Sequence, residues 1–293
     1  MSKNASASGA YREIVERLVS FGIDKSEAKI EAALIIEHVC GIPLKQLHTF
    51  DFEVDDDMSQ KIIGIILRRE KREPIQYCLG SAHFMGHKLF VLPGVFIPRV
   101  DTEMLVVEAV DIITKNNFEA GSILEIGIGT GAISTSLLAK FPLLKGTATD
   151  ISDRALECAA KNATLLNVQD RLDLHRSSTW WDLQGKGTYD LIISNPPYIP
   201  MTHKSELAPE IIKFEPHEAL FGGGEEGLSF YQEIAARALD ITRFVALEIG
   251  DYQSDSVPDV FAQCGWQEGY IEKDLNGLPR VFCARSAASQ IKS

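Results

Sequence analysis

The tetrapeptide Asn195-Pro196-Pro197-Tyr198 directly follows an apolar run, residues 191–193, that predicts a short buried strand. Two prolines forbid helix continuation and further ladder bonding, so the chain must leave the sheet in an extended, stiff form. They also hold the Asn195 side chain and the neighbouring carbonyls as hydrogen-bond acceptors at the carboxyl end of the strand. Open α/β sheets bind ligands at that edge. Taken alone, the tetrapeptide is equally compatible with a rigid turn.

A glycine loop is the second feature with chemical meaning. The predicted strand 123–126 runs into Gly127, Gly129 and Gly131 and then into a helix. Missing side chains allow tight turning and close approach of the backbone to a ligand, and the new helix offers free N–H groups. Asp150 lies 19 residues after Gly131, at the end of the next strand, where a carboxylate can accept hydrogen bonds from both ribose hydroxyls. This pairing predicts a nucleoside-containing ligand.

The loop also indicates which nucleoside to expect. A dinucleotide fingerprint is Gly-x-Gly-x-x-Gly, whereas here the third glycine comes one residue early. Glu125, in the strand just ahead of the loop, would sit unfavourably beside a pyrophosphate. A carboxylate at this position suits a ligand with a cationic amino-acid end, and we therefore expect S-adenosylmethionine.

The elements that must position these residues fall into three regions. Residues 11–72 have helical spacings of apolar side chains, with Asp24 or Ser26 as a cap, and predict a small helical bundle. Residues 80–95 predict a hairpin that joins two domains. From Ser122 onward strand and helix patterns alternate, which predicts βαβ units and a largely parallel sheet. A helix is expected to begin near Asp101 or Thr102, and Arg99 just before it is well placed to meet an anionic group.

Composition limits the class of protein. The chain has 293 residues and a net charge of -12, so a general affinity for nucleic acid is not expected. Its five cysteines form no Cys-x-x-Cys pair, and neither a zinc site nor a disulfide framework is indicated. We expect a cytoplasmic protein, because no secretory signal and no apolar run of about 18 to 20 residues is visible.

Taken together, these motifs resemble those of class I S-adenosylmethionine-dependent methyltransferases, and the tetrapeptide resembles the signature of enzymes that methylate a planar nitrogen. Across nearly the whole chain the sequence resembles the HemK/PrmC family, the release factor glutamine methyltransferases. The further stretches that carry this resemblance are Arg72-Glu73-Pro74-Ile75-Gln76-Tyr77, Pro98-Arg99-Val100-Asp101-Thr102-Glu103, Glu215-Pro216-His217-Glu218-Ala219-Leu220-Phe221-Gly222-Gly223 and Asp274-Leu275-Asn276-Gly277-Leu278-Pro279-Arg280.

The resemblance implies a fold and a division of the chain. The expected fold is α/β, a Rossmann-like, mostly parallel seven-stranded sheet with a small N-terminal helical bundle and a linking β-hairpin. The bundle, residues 1–80, would dock the substrate, residues 81–98 would form the hairpin linker, and residues 99–293 would form the methyltransferase domain.

The resemblance also implies a reaction, the methylation of the glutamine side-chain amide in the Gly-Gly-Gln motif of class I peptide chain release factors, which modulates translation termination. The Asn195 oxygen and the Pro196 carbonyl would grip the amide NH₂, and Tyr198 would pack on its plane. The implied catalytic residues are Asn195, Pro196, Pro197 and Tyr198. The implied S-adenosylmethionine-binding residues are Glu125, Gly127, Ile128, Gly129, Thr130, Gly131, Asp150, Trp180 and Asn195. Trp180, with Trp181 as the alternative, would flank the adenine; no metal, no membrane and no direct nucleic-acid contact are implied, and we expect a monomer.

Three positions depart from the family pattern. Ile128 occupies a loop position expected to be small or polar, and Val100 stands where a second proline is expected after Arg99. Residues 177–179 are Ser-Ser-Thr where an aspartate is expected, which weakens any carboxylate contact to the adenine amino group. None of these changes removes a group that the chemistry needs.

Three other functions compete with this hypothesis. An adenine-N6 nucleic-acid methyltransferase uses the same tetrapeptide on a flipped base, but the acidic charge and the absence of a basic recognition region argue against it. A nicotinamide-dependent oxidoreductase conflicts with the glycine spacing. A catalytically silent binding protein would use the helical domain to dock a partner, and the presence of Asn195 and Asp150 argues against it.

Overall fold

The computed structural model describes residues 6–46, 52–177 and 188–286. These residues belong to two compact units. One unit comprises residues 1–80 together with 209–214, and the other comprises residues 81–208 together with 215–293. No helix within the described ranges is long and apolar enough to cross a membrane.

The N-terminal unit is built from helices with apolar faces. Its helices are α1 (Ala7–Ser20), α2 (Lys25–Cys40), α3 (Asp56–Glu70) and α4 (Ile75–Leu79), joined by the short helix Pro209–Phe214 from later in the chain. Ile14, Leu18 and Ile35 are fully buried in its core. The prediction of a cap at the start of α2 is confirmed, because Asp24 Oδ1 accepts the Ser26 N–H at 2.7 Å. The predicted helical bundle is therefore present.

A buried ion pair crosses this unit. Arg69 of α3 donates Nε and Nη2 to the two carboxylate oxygens of Glu31 in α2, at 2.9 and 2.8 Å. Both side chains are almost completely buried, at 1% and 4% exposure. Arg69 also donates to the Glu73 carbonyl at 2.7 Å. A bidentate pair with an additional acceptor is the arrangement in which burial of two charges is best compensated.

The second unit is an α/β sheet with helices on both faces. A hairpin of β1 (Ser81–Phe84) and β2 (His87–Phe90) precedes it in the chain. The remaining strands are β3 (Ser122–Ile126), β4 (Lys145–Asp150), β5 (Leu172–Arg176), β6 (Tyr189–Ser194), β7 (Thr242–Glu248), β8 (Gln267–Lys273) and β9 (Pro279–Arg285). The helices of this unit are α5 (Glu103–Lys115), α6 (Ala132–Lys140), α7 (Asp153–Leu165), α9 (Ser229–Ala238) and α10 (Ser256–Gln263), whereas α8 (Pro209–Phe214) is the short helix of the N-terminal unit.

The strand order predicts where a ligand binds. The seven strands lie in the order β5-β4-β3-β6-β7-β9-β8, and β9 pairs antiparallel with both of its neighbours. The chain winds from β3 outward to β5, then returns to the middle and winds the other way through β6 and β7. The order reverses between β3 and β6, and open α/β sheets bind ligands at the carboxyl ends of the strands on either side of such a point. The predicted mostly parallel seven-stranded fold is confirmed.

Burial on both faces explains the apolar runs in the central strands. Leu191 and Ile193 of β6 belong to one core cluster and Ile192 to the other, because successive side chains of a strand point to opposite faces. Helices cover both faces of this sheet, so a central strand needs apolar residues at every position. Polar groups are then confined to the strand ends.

We expect Glu31→Gln to destabilise the N-terminal unit by about 3 kcal/mol, because the substitution removes the bidentate partner of the buried Arg69 and leaves its charge only the more distant Glu210, at 3.9 Å. The double variant Glu31→Leu/Arg69→Met should lose less than the single variant, since it removes both charges. Urea unfolding of the full chain, followed by hydrogen exchange of amides in residues 7–79, measures the effect.

The exposed pair Asp57–Lys61 on α3 supplies a matched control. Lys61→Met should cause no measurable loss, because water screens that pair. Equal losses for Glu31→Gln and the double variant would contradict the explanation by an unpaired buried charge.

Candidate active site

The glycine loop between β3 and α6 has the conformation that its sequence requires. Gly127, Gly129 and Gly131 all have left-handed backbone angles, with φ of 74°, 54° and 78°. A side chain at Gly131 would also lie 3.1 Å from the Ala159 Cα, so this glycine lets the loop pack closely against α7. The loop therefore turns tightly and leaves its backbone facing open space.

Glu125, in strand β3, accepts hydrogen bonds from the first turn of helix α6. Its Oε2 accepts the Ser134 N–H at 2.9 Å and also the Ser134 hydroxyl. Burial raises the pKa of Glu125 to about 8, and the two bonds from Ser134 oppose the rise. The carboxyl group occupies a donor at the helix N-terminus that could otherwise bind a phosphate. This arrangement favours a cationic group over a pyrophosphate beside Glu125.

Asp150, the last residue of β4, holds the glycine loop in place. Its Oδ2 accepts the Gly129 N–H at 3.0 Å and its Oδ1 accepts the Ser152 N–H at 2.9 Å. Burial raises the pKa of Asp150, and these backbone donors oppose the rise. A carboxylate has about four acceptor positions, so both oxygens can still accept from a ribose diol.

The tetrapeptide leaves the end of β6 as an extended segment that is fixed on several sides. The Ile199 N–H donates to the Leu220 carbonyl at 3.0 Å, and the Tyr198 carbonyl accepts from the Tyr252 hydroxyl at 3.1 Å. Gly227, with φ of 70°, lies so close that a Cβ there would stand 2.0 Å from the Tyr198 oxygen. Glycine is required at this position for both reasons, and the packing holds the Tyr198 backbone still.

Two side chains of the tetrapeptide each contact a buried polar residue behind it. Asn195 Nδ2 donates to the Thr102 hydroxyl at 3.1 Å, and the Tyr198 hydroxyl donates to Glu248 Oε1 at 3.3 Å. Burial raises the pKa of Tyr198, so its phenol remains a donor. Because the Asn195 NH₂ is engaged by Thr102, its Oδ1 is left as the acceptor.

These features surround a single cavity of about 360 Å³ in the second unit. The sequence-predicted residues that line it are Glu125, Gly127, Ile128, Gly129, Thr130, Asp150, Asn195, Pro196 and Pro197. Gly131 and Tyr198 support the lining without being part of it. Trp180 and Trp181 lie outside the described residues. The structure thus brings the glycine loop, the strand-end carboxylates and the acceptor asparagine to one cavity.

Several residues of the site were not predicted from the sequence to be site residues. Thr102 lines the cavity, as do Phe96 and Pro98 ahead of α5, Pro216 and Glu218 from the loop, and Phe230, Glu233 and Ile234 from α9. Glu248 lies just behind it. A signal for Glu248 does exist, because Leu247-Glu248-Ile249 repeats the pattern Leu124-Glu125-Ile126, an acidic residue inside an apolar strand end.

Arg99 and Ile128 have explanations inside the fold. Arg99 meets an anionic group of the protein itself, since it pairs with Glu215, whose second oxygen accepts the Ile97 N–H at 3.3 Å. Ile128 is 3% exposed and packs into a core cluster, which accounts for an apolar residue in the loop.

We expect binding of a nucleoside that carries a cationic amino group to release a proton near pH 7. Free Glu125 is mostly protonated at pH 7, because burial raises its pKa to about 8. A cation beside the carboxyl lowers that pKa and drives the proton off, so affinity should rise between pH 6 and pH 8. Calorimetric titration with S-adenosylhomocysteine at pH 7, in two buffers of different ionisation enthalpy, should give different heats.

The control for this measurement is Glu125→Gln, which keeps the shape of the side chain but cannot titrate. Its binding heat should be the same in both buffers. A wild-type heat that does not depend on the buffer would contradict the placement of a cation beside Glu125.

Comparisons with known proteins agree with this architecture. Residues 87–243 match the family model of the Methyltransferase small domain, and residues 9–80 match that of the PrmC N-terminal domain. The catalytic domain of hMettl16, solved in complex with MAT2A 3'UTR hairpin 1, superposes with a TM-score of 0.57 at 14% identity, covering 82% of this chain and 84% of that one. This likeness concerns the fold alone.

Named relatives align with most of the chain. The bifunctional methyltransferase of Rickettsia bellii is 35% identical over 94% of this chain, which spans about half, 53%, of that relative. The release factor glutamine methyltransferase of Geobacter sulfurreducens is 34% identical, covering 88% of this chain and 89% of the relative. That of Streptomyces coelicolor is 33% identical, covering 94% and 96%. The resemblance drawn from the motifs is confirmed: the chain belongs to the release factor glutamine methyltransferase family.

Proposed function

We propose that this chain transfers a methyl group from S-adenosylmethionine to the side-chain amide nitrogen of the glutamine in the Gly-Gly-Gln motif of class I release factors. One observation carries the proposal. Asn195 lines the same cavity as Glu125 and Asp150, and its NH₂ is already bonded to Thr102, so an acceptor oxygen is available where the two carboxylates mark a nucleoside site.

The residues of the cavity fit S-adenosylmethionine. Glu125 would face the cationic amino-acid end of the cofactor, and Asp150 would accept from its ribose hydroxyls. The backbone of the glycine loop, with Ile128 and Thr130, would lie against the cofactor. When bound, this cofactor supplies a methyl group on a sulfonium, which is an electrophile. The assignment of Trp180 to the adenine remains a prediction, since that residue lies outside the described ones.

The substrate amide needs orientation more than it needs a base. Its nitrogen is a poor nucleophile because the lone pair is delocalised, and its two N–H groups require acceptors. Asn195 Oδ1 and the Pro196 carbonyl would be those acceptors, held still by two prolines and by the packing around Tyr198. The packing of Tyr198 on the plane of the amide remains a prediction, since Tyr198 supports the cavity from behind and does not line it. After transfer the extra proton can leave to solvent.

Support for a protein substrate comes from the N-terminal unit. It has its own buried core, it matches the PrmC N-terminal domain, and we assign docking of the release factor to residues 1–80. We keep residues 81–98 as the linking hairpin and 99–293 as the methyltransferase domain. The net charge of -12 supports the absence of direct nucleic-acid contact. We also propose a monomer, and a cytoplasmic location that follows from a release factor substrate.

We expect purified protein to transfer a labelled methyl group from S-adenosylmethionine to a class I release factor. A release factor in which the Gly-Gly-Gln glutamine is replaced by alanine should remain unlabelled, because the acceptor amide is missing. Filter binding followed by peptide mass spectrometry measures the transfer and its position.

The same assay includes DNA and RNA as acceptors, which tests the adenine-N6 alternative. Labelling of nucleic acid with none of the release factor would sink the proposal. Absence of any transfer, with cofactor bound, would instead favour the silent binding protein.

A pair of variants separates the two halves of the site. Asn195→Ala should lower kcat by about 100-fold, because an orienting acceptor is lost, while the cofactor Kd changes less than about threefold. Asp150→Ala should show the reverse pattern, with a Kd weakened at least about tenfold, since it removes a ribose acceptor and a support of the loop. Single-turnover kinetics and calorimetry measure the two quantities. Equal loss of cofactor binding in Asn195→Ala would assign Asn195 to the cofactor instead.

A further inference from the structure

Behind Asn195 lies a short polar chain that the proposed reaction has not yet used. Asn195 Nδ2 donates to the Thr102 hydroxyl at 3.1 Å, and the Thr102 hydroxyl in turn opposes the rise that burial causes in the pKa of Glu248. Thr102 is 4% exposed and Glu248 is 2% exposed. Thr102 stands at the N-cap of α5, yet its side chain makes no cap bond there. Its hydroxyl is committed to the active site.

Glu248 also reaches the other end of the tetrapeptide. It is the last residue of β7, the strand beside β6, and its Oε1 accepts the Tyr198 hydroxyl at 3.3 Å. No hydrogen bond of normal geometry reaches Oε2 from the residues that the structure describes. A buried carboxyl oxygen without a partner is costly, which argues that Glu248 is not kept for stability.

We propose that Glu248 is a positioning residue that, through Thr102, sets which end of the Asn195 amide faces the substrate; this inference rests on the proposed function. An ionised carboxylate can only accept, so Thr102 donates its proton to Glu248. The Thr102 oxygen then has lone pairs free to accept from Asn195 Nδ2. The direction of donation fixes Asn195 Oδ1 toward the cavity, where the substrate NH₂ needs an acceptor.

Protonation of Glu248 reverses this preference. The neutral carboxyl can donate to the Thr102 oxygen, and the Thr102 proton is then free to point at Asn195. An Asn195 amide that receives this proton must turn Oδ1 toward Thr102 and its NH₂ toward the cavity. Two NH₂ groups would then face each other, and the substrate would lose its acceptor.

The surroundings of Glu248 place this switch near neutral pH. Burial raises the pKa of Glu248 to about 7, while the Thr102 hydroxyl, the Arg280 guanidinium and the Tyr198 hydroxyl oppose the rise and Asp101 adds to it. Arg280 is itself shared with Asp274 at 3.1 Å and Asp101 at 3.5 Å, so its charge is only partly directed at Glu248. Three packed elements contribute the groups that face the Glu248 side chain: Asp101 and Thr102 before α5, Tyr198 after β6, and Arg280 of β9. In addition, the Tyr231 hydroxyl of α9 donates to the Glu248 backbone carbonyl. The active form is the deprotonated one, so kcat should fall below about pH 7.

The first test is the pH profile of single-turnover methyl transfer at saturating cofactor. Wild type should lose activity about tenfold per pH unit below its acid pKa, because only ionised Glu248 orients Asn195. Glu248→Gln, whose NH₂ donates to Thr102 as the protonated acid does, should have no acid limb and a kcat about 10- to 100-fold lower at pH 8. Its cofactor Kd should stay within about threefold of wild type.

Thr102 supplies the matched variants. Thr102→Val interrupts the chain and should behave as Glu248→Gln does, whereas Thr102→Ser keeps the hydroxyl and should restore both the rate and the acid limb. Circular dichroism checks that each variant is folded. A wild-type kcat at pH 8 in Glu248→Gln, or an acid limb that survives in both Glu248→Gln and Thr102→Val, would overturn the inference.

A second measurement does not depend on turnover. In protein labelled with ¹⁵N-asparagine, the Asn195 side-chain NH₂ signals, identified by their absence in Asn195→Ala, should shift with an apparent pKa near 7 in wild type and stay constant in Glu248→Gln. Constant signals in wild type would refute the coupling even if the enzyme is active. Titrating signals in a protein that does not methylate a release factor would leave the coupling intact and refute the proposed function alone.

Discussion

The hydrogen bond from the Ser134 backbone to Glu125 fixes a buried carboxyl group in the lining of the cavity. It places a carboxyl group at the N-terminus of α6, the position where α/β folds otherwise bind phosphate. Related sheet edges with a glycine-rich turn and a strand-end carboxylate bind dinucleotides. Under the proposed function, the buried acid would instead favour a cationic amino acid joined to a nucleoside. The placement of a methyl group near Asn195 would depend on that preference.

Rigidity around the tetrapeptide follows from the burial of β6 on both faces. The middle of the strand is apolar, so polar residues follow at its carboxyl end, where Ser194 donates to the Ile126 carbonyl at 2.6 Å and Asn195 comes next, at the switch point beside β3. Prolines then prevent the chain from closing into a helix, and Gly227 packs against the Tyr198 carbonyl from the other side. Orientation of a weak nucleophile requires such fixed acceptors, because a mobile acceptor would leave the bound amide free to move out of the reactive geometry. The fold supplies this stiffness through packing, without a dedicated catalytic base.

Local patterns predicted much of this architecture, and contacts distant in sequence limited the rest. The glycine loop, Asp150 and Asn195 each follow a strand, and parallel strands bring their carboxyl ends to one edge, so their meeting in one cavity could be foreseen. Thr102 could be foreseen only as a helix cap, because its actual partner lies 93 residues away. The inclusion of residues 209–214 in the N-terminal unit had no local signal either, since it depends on ion pairs such as Arg72–Glu210. Glu248 had a signal, the acidic residue within an apolar strand end, whose meaning emerges only beside its neighbours.

Glu125 and Glu248 illustrate why burial alone does not define a role. Burial raises the pKa of both carboxyl groups, to about 8 and about 7. Glu125 receives two hydrogen bonds from Ser134, one of them from the rigid start of a helix, so its position is fixed whether or not it is charged. Glu248 meets rotatable hydroxyl groups of Thr102 and Tyr198, whose protons can change direction with its charge. The first arrangement can respond to a ligand only by losing a proton. The charge state of Glu248 can affect the orientation of Asn195, because the Thr102 hydroxyl between them can either donate or accept.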